Sequence, residues 1–257
     1  MKTTLLVMAM SGVAMAQAAN VNAHVVEERV SKEGRFEVSL FPAAAQVNGQ
    51  YTQHVGTFGA VTYHLRERFG VQLLGGGNWY NAESAFNGEL VEKFRVEAQA
   101  AQSLLWTWGV FAGVEVEPLT LKFAIFDDTL VHAGLTIGGA AGAGGTRHQL
   151  KPATMTPATY GDTGVRFMGN LSAGFRVQVG QHFTARIDVR DVIYSGQMKT
   201  INGCSAEQIP DLRGEPIPAC GGFETVTDGI IARNLLEQSS SAILNNVGLY
   251  VGAGFLF

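Results

Sequence analysis

The sequence predicts an all-β fold: a closed antiparallel up-and-down transmembrane β-barrel of eight strands, with ten as the competing count. Three observations predict it. Apolar and polar residues alternate with period two in segments spread along the 257 residues. After the N-terminal leader, no run reaches the ~20 apolar residues of a spanning helix. The most apolar run, 130–145, is broken by His132 and by glycines. The connections between segments also differ in length, with the three longest expected on one side.

Strands are expected at roughly 35–48, 52–66, 69–80, 104–117, 130–143, 165–179, 183–195 and 243–257. The first two alternate less cleanly, and Pro42 marks a bulge or a strand end. In the fourth, Leu104, Trp106, Trp108, Val110, Ala112, Val114 and Val116 form one face, opposite Thr107, Gly109, Gly113, Glu115 and Glu117. In the sixth, Val165, Phe167, Leu171, Ala173 and Phe175 alternate with Arg166, Asn170, Ser172 and Arg176. In the seventh, Phe183, Ala185, Ile187 and Val189 alternate with Thr184, Arg186, Asp188 and Arg190. In the last, every odd position from Val247 to Phe257 is apolar, while glycine fills most even positions beside Tyr250 and Leu256.

Alternation does not say which face meets lipid, since a soluble lipocalin-type barrel has the same period. Three features favour an apolar exterior. The polar face combines glycine with charge, which suits a narrow interior filled by side chains. Trp79, Tyr80, Trp106 and Trp108 cluster at strand ends, as an aromatic girdle would. With both termini on the periplasmic side, connections 67–68, 118–129 and 180–182 lie there, and 49–51, 81–103, 144–164 and 196–242 lie outside. The exception to short periplasmic turns is 118–129, which is expected to lie on the membrane surface or to extend a hairpin.

The ends and the composition agree with export. Residues 1–18 read as a signal peptide, with Lys2, an apolar core from Leu5 to Val13, and small residues at the cleavage site. Residues 19–34 form a periplasmic N-terminal segment, and 35–257 the barrel. Charged residues are 16%, below the ~25% of soluble domains, and the 32 glycines are in excess. Mean hydropathy is only +0.12, as expected if half of each strand faces a polar interior. A net charge of −4 gives no reason to expect nucleic acid. The expected location is the outer membrane of a Gram-negative bacterium.

Few motifs carry chemistry. Gly139–Thr146 nearly matches a phosphate-binding loop, but Gly145 stands where lysine is required, and Pro152 and Pro157 follow. It reads better as a strand that runs close to its neighbours. Cys204 and Cys220 lie in the long loop 196–242, without the companion ligands of a zinc site, and are expected to form a disulfide. Arg35, Glu37, Glu115, Arg176, Arg186, Asp188 and Arg190 are expected to point into the lumen as a salt-bridge network. A gated conduit is the alternative. His148 and Asp162, in an expected outer loop, are the candidates for a lipid-modifying enzyme, but they sit in no motif. Leu90, Val91, Phe94, Ala98 and Ala101 form an amphipathic helical stripe, and Ile230, Ile231 and Leu235 a weaker one. Either stripe would pack on the barrel rim or dock a partner. No cofactor or metal site is expected.

The C-terminal strand, with Val251, Phe255 and a final Phe257, resembles the targeting strand of outer-membrane barrels. That implies insertion by the barrel-assembly machinery. Gly34-Arg-Phe-Glu-Val38, Tyr63-His-Leu-Arg-Glu-Arg-Phe-Gly-Val71 and Arg186-Ile-Asp-Val-Arg-Asp191 resemble the small outer-membrane barrel-domain family found in myxobacteria and related bacteria, of the OmpA and OmpX type. Pro118-Leu-Thr-Leu-Lys-Phe123 departs from that family's Tyr-Gly before Lys-Phe. The resemblance covers about residues 27–257 and implies a non-enzymatic anchor or docking component of an envelope complex, with gliding-motility machinery the most specific candidate. A narrow channel and a lipid-modifying enzyme are the alternatives.

Overall fold

The computed structural model describes residues 31–49, 51–84, 104–125, 129–150, 159–210, 220–239 and 241–257. Eight strands follow one another: β1 (Phe36–Asn48), β2 (Thr52–Arg66), β3 (Phe69–Glu83), β4 (Leu105–Ile125), β5 (Thr129–Gln149), β6 (Tyr160–Val179), β7 (Phe183–Ser195) and β8 (Ile243–Leu256). Each pairs antiparallel with its neighbour in sequence, and β8 closes on β1. Closure leaves no open edge along the shared wall, the only way a sheet satisfies its backbone in lipid.

The β2 and β7 boundaries are those expected from the sequence. The largest differences lie in β4, β5 and β6. The segment 118–129 is a hairpin extension, in which Leu119 pairs with Leu135 and Ile125 with Thr129. The terminal-side connections therefore shrink to 67–68, 126–128 and 180–182, and the exception to short turns on that side disappears. Pro118 is accommodated at an irregularity between Val116 and Leu119, where it interrupts no regular ladder bond. On the other side β5 and β6 extend into the expected loop 144–164. Pro42 likewise sits at a bulge, where the β1 register shifts against both β2 and β8.

Glycines of β5 explain the near-match to a phosphate loop. A Cβ on Gly142 would meet the Val110 carbonyl of β4, and one on Gly144 the Trp108 carbonyl. Backbone proximity, not ligand binding, accounts for the small residues.

The aliphatic face points out. Val38, Leu40, Val61, Val71, Leu73, Val110, Val114, Leu171, Ile187, Val189, Leu249 and Val251 are exposed. Trp79, Tyr80 and Trp108 are exposed toward the long-loop end. Phe36, Phe69, Phe183 and Phe257 form a second exposed aromatic group at the terminal end. Two aromatic groups flanking an aliphatic belt are the pattern of a barrel crossing a membrane. The expected signal peptide 1–18, segment 19–30 and the stripe from Leu90 to Ala101 lie outside the described residues.

Candidate functional site

The lumen is filled in two layers, and alternation puts the side chains there. On β7, Thr184, Arg186, Asp188 and Arg190 all face inward because every second residue does. Glu37 from β1, Glu115 and Glu117 from β4, and Arg176 from β6 arrive at the same level, toward the terminal end. Arg176 pairs with Glu115, with Glu117 at 3.2 Å and with Glu37 at 3.3 Å. Arg186 pairs with Glu115 and with Asp188 at 3.2 Å, and Arg190 reaches Asp188 at 2.8 Å. Lys32 Nζ meets Glu117 at 2.5 Å. Four cations thus face four carboxylates, all buried. His64 Nε2, Thr184 Oγ1 and Ser39 Oγ complete the shell of Glu37, at 3.0, 3.0 and 3.1 Å. Charge balance within the layer is what allows its burial.

Above this layer stand rings. Phe41, Phe58, Trp106, Phe111 and Tyr250 are buried together with Leu74 and Met168. Centroid separations are 5.3 Å for Phe58–Trp106, 5.4 Å for Phe58–Tyr250 and 5.9 Å for the edge-on pair Phe41–Tyr250, within the favourable range for aromatic contacts. The Arg190 guanidinium lies over Phe41 and Tyr250, 5.4 and 5.5 Å from their centroids, and joins the two layers.

The described parts of the loop 196–242 pack against the upper end. Asn202 and Gly203 both take positive φ, as a tight two-residue turn between Ile201 and Cys204 requires. Cys204 and Cys220 form the expected disulfide. A short 3₁₀ helix (Ala206–Gln208) and α1 (Val226–Glu237) follow, the latter capped by Thr225 Oγ1 accepting from the Asp228 N–H at 3.2 Å. Ala232, Leu235 and Leu236 of α1 join Met198, Ile201, Ile209 and Phe223 in one apolar cluster. That cluster is continuous with Leu104, Trp106, Tyr194 and Leu244 at the barrel mouth. The stripe containing Leu235 therefore packs on the barrel's own rim.

Two expected placements are corrected. Trp106 is 0% exposed, against 70% for Trp79. A bulge between Trp106 and Trp108 shifts the register of β4 and turns Trp106 inward, so it belongs to the plug and not to the girdle. Arg35 precedes β1, where alternation no longer applies. It donates to the Phe257 carbonyl at 3.0 Å and the Leu256 carbonyl at 2.9 Å, pinning the chain end at the rim.

Lys32, His64 and Glu117 complete the network without having been among the expected lumen residues. Glu117 shares the parity of Glu115, which was a usable signal. Lys32 lies outside any strand and carried none. Its segment is held beneath the barrel by Glu67 in the β2–β3 turn, which accepts from Ser31 Oγ and from the Lys32 N–H at 3.0 Å. Partial burial opposes ionisation of Glu67, but these hydrogen bonds and the Lys32 charge outweigh it and hold its pKa below the ordinary value.

His148 and Asp162 are not brought together as a catalytic pair. His148 is buried on the inner side of β5, whereas Asp162 is exposed on β6 and accepts from the Gly164 N–H at 2.8 Å. Among the described residues no cluster of three or more His, Cys, Asp or Glu is placed to hold a metal.

These features define a class: an up-and-down barrel built inside out, aliphatic toward its surroundings and polar and aromatic within. No family model matches the chain, and no characterised protein sequence does. Among solved structures it is similar to Ail, the attachment invasion locus protein of Yersinia pestis, at a TM-score of 0.38 and 9% identity, covering 88% of this chain and 99% of that one. Ail in complex with the heparin analogue sucrose octasulfate gives 0.37 and 9% over the same shares.

Proposed function

We propose that this chain is a non-enzymatic, non-conducting barrel of the Gram-negative outer membrane that anchors or docks a cell-envelope complex. The observation that supports it is the occupied lumen: balanced charges below, tilted and edge-on rings above, and a disulfide-bonded loop packed against the mouth. A conduit needs a continuous wet path, and each of these layers opposes one. The closed wall and the aliphatic belt favour the membrane, and the signal peptide expected from the sequence would direct the chain to the outer one. Insertion would use the outward-facing Val251 and Phe257, with Phe255 between them, as the signal read by the barrel-assembly machinery. Gliding-motility machinery is the most specific candidate for the complex and rests on the sequence resemblance alone.

Planar-bilayer recording of the refolded chain tests the non-conducting role. The expectation is no discrete single-channel steps, and steady channels would favour the narrow-channel alternative. Cross-linking in native envelopes, followed by purification under denaturing conditions, tests docking. A specific envelope protein should be recovered, and its absence would contradict that role.

A further inference from the structure

Strand β6 is much longer than β7. Their pairing stops at Met168 opposite Tyr194, while β6 continues upward to Tyr160. A wedge-shaped gap therefore opens between upper β6 and the segment that follows β7, and it is bounded above where Asp162 and Asn202 exchange hydrogen bonds of 2.7 Å. An open cleft of ≈ 960 Å³ occupies it, with Val165, Phe167, Leu171, Ile193 and Ile243 along its sides and Arg166 and Lys199 among its lining. Phe167 is 76% exposed, the highest value among the large apolar side chains of the described residues. Val165 lies on the hydrogen-bonded row that runs through Gly145 to the girdle residue Trp108. The cleft thus opens sideways near the outer boundary of the belt, where acyl chains meet head groups.

Arg166 sets the chemistry. Its guanidinium donates to Thr146 Oγ1 at 2.7 Å, the Ser195 carbonyl at 3.0 Å, the Thr163 carbonyl at 3.4 Å and the Gln197 carbonyl. All four acceptors are neutral. Arg176, Arg186 and Arg190, by contrast, each face a carboxylate. The Arg166 side chain is thus oriented while its charge is left uncompensated, and four acceptors leave part of its five-donor fork unused. Among the described residues no carboxylate pairs with Arg166 or Lys199.

We infer that this cleft binds a phosphate-bearing lipid of the surrounding leaflet, its acyl chain along Phe167 and Ile243 and its phosphate on Arg166 and Lys199. Apolar walls with two cations among them match an amphiphile with an anionic head, and the fork geometry suits phosphate. The inference rests on the outer-membrane reading, because the abundant phosphorylated lipid of the outer leaflet is lipid A.

The test is native mass spectrometry of the refolded full chain, titrated with diphosphoryl lipid A, with dephosphorylated lipid A, and with inorganic phosphate as competitor. One diphosphoryl lipid should be retained, with at least about tenfold weaker binding of the dephosphorylated form. Millimolar phosphate should not displace it. R166Q and K199Q should each weaken binding of the phosphorylated lipid and leave the dephosphorylated form unaffected. Heat-modifiable gel migration reports that each variant is folded, and the two lipids compared on the unaltered chain require no variant. Equal affinity for both lipids, or unchanged binding by both variants, overturns the inference. Displacement by phosphate would assign the cleft to free anion. Failure of the unaltered chain to insert into vesicles would instead strike the membrane reading itself.

Discussion

The lower and upper halves of the lumen are filled by opposite means. The lower layer buries charges that are tolerated only because each has its counterpart, so its stability depends on completeness. The upper layer buries rings that need no particular partner but must fill the space. A defect below leaves an orphan charge, and a defect above leaves a hole. The barrel thus has two seals that meet at Arg190, one sensitive to charge and the other to volume.

The largest expected effect comes from removing one charge. Arg186→Met leaves Glu115 and Asp188 short of a partner and should cost about 3–5 kcal/mol, read by urea unfolding in vesicles. Adding Glu115→Met to it restores the balance and should recover much of the loss. Such recovery would distinguish the lower layer from the upper one.

Trp106→Ala should cost about 3–4 kcal/mol by opening a cavity among Phe58 and Phe111. No second truncation nearby should rescue it. Rescue would mean that the two halves obey the same rule.

Replacing Cys204 and Cys220 by serine should cost up to about 3 kcal/mol of cap stability, since the bond closes a separation of 16 residues. Protease should then cut within 196–242 while the barrel stays heat-modifiable. A barrel that unfolds along with this loop would show that the loop and the barrel are coupled.

The smallest effect concerns Glu67. Its pKa is lowered in the folded chain, so its contribution is present above the ordinary carboxylate pKa and is lost as pH falls through the lowered value. The group is largely exposed, and Glu67→Gln should cost no more than about 0.5 kcal/mol at neutral pH. A stability difference between Glu67→Gln and the unaltered chain that grows on acidification would contradict this sign.

Much of the architecture was legible because one period runs through it. Val189 and Arg190 declare opposite faces simply by adjacency, and the same rule places Glu37, Glu115, Arg176, Arg186 and Asp188 inside. The rule failed where the period breaks. The bulge beside Trp106 reverses the face of a residue that still looks in phase, and Arg35 stands one residue before the strand begins. Strand lengths were legible only where a turn punctuates the chain, as at Glu67-Arg68. In β4 to β6 the ladder continues past weak boundary signals. The β6–β7 wedge was invisible because it arises from the difference between two strand lengths, which no single segment encodes. Lys32 was missed for a related reason: it reaches the lumen from below and not from the wall.

The three tryptophans provide the most direct test of the inside-out arrangement, since Trp79 and Trp108 face outward and Trp106 inward. Single-tryptophan variants, the others changed to phenylalanine, can be refolded into vesicles containing brominated phospholipid. Emission from Trp79 and Trp108 should be strongly quenched, while that from Trp106 should be nearly unaffected. Quenching of Trp106 as strong as that of Trp108 would contradict a sealed, aromatic-filled lumen and the fold direction on which it depends.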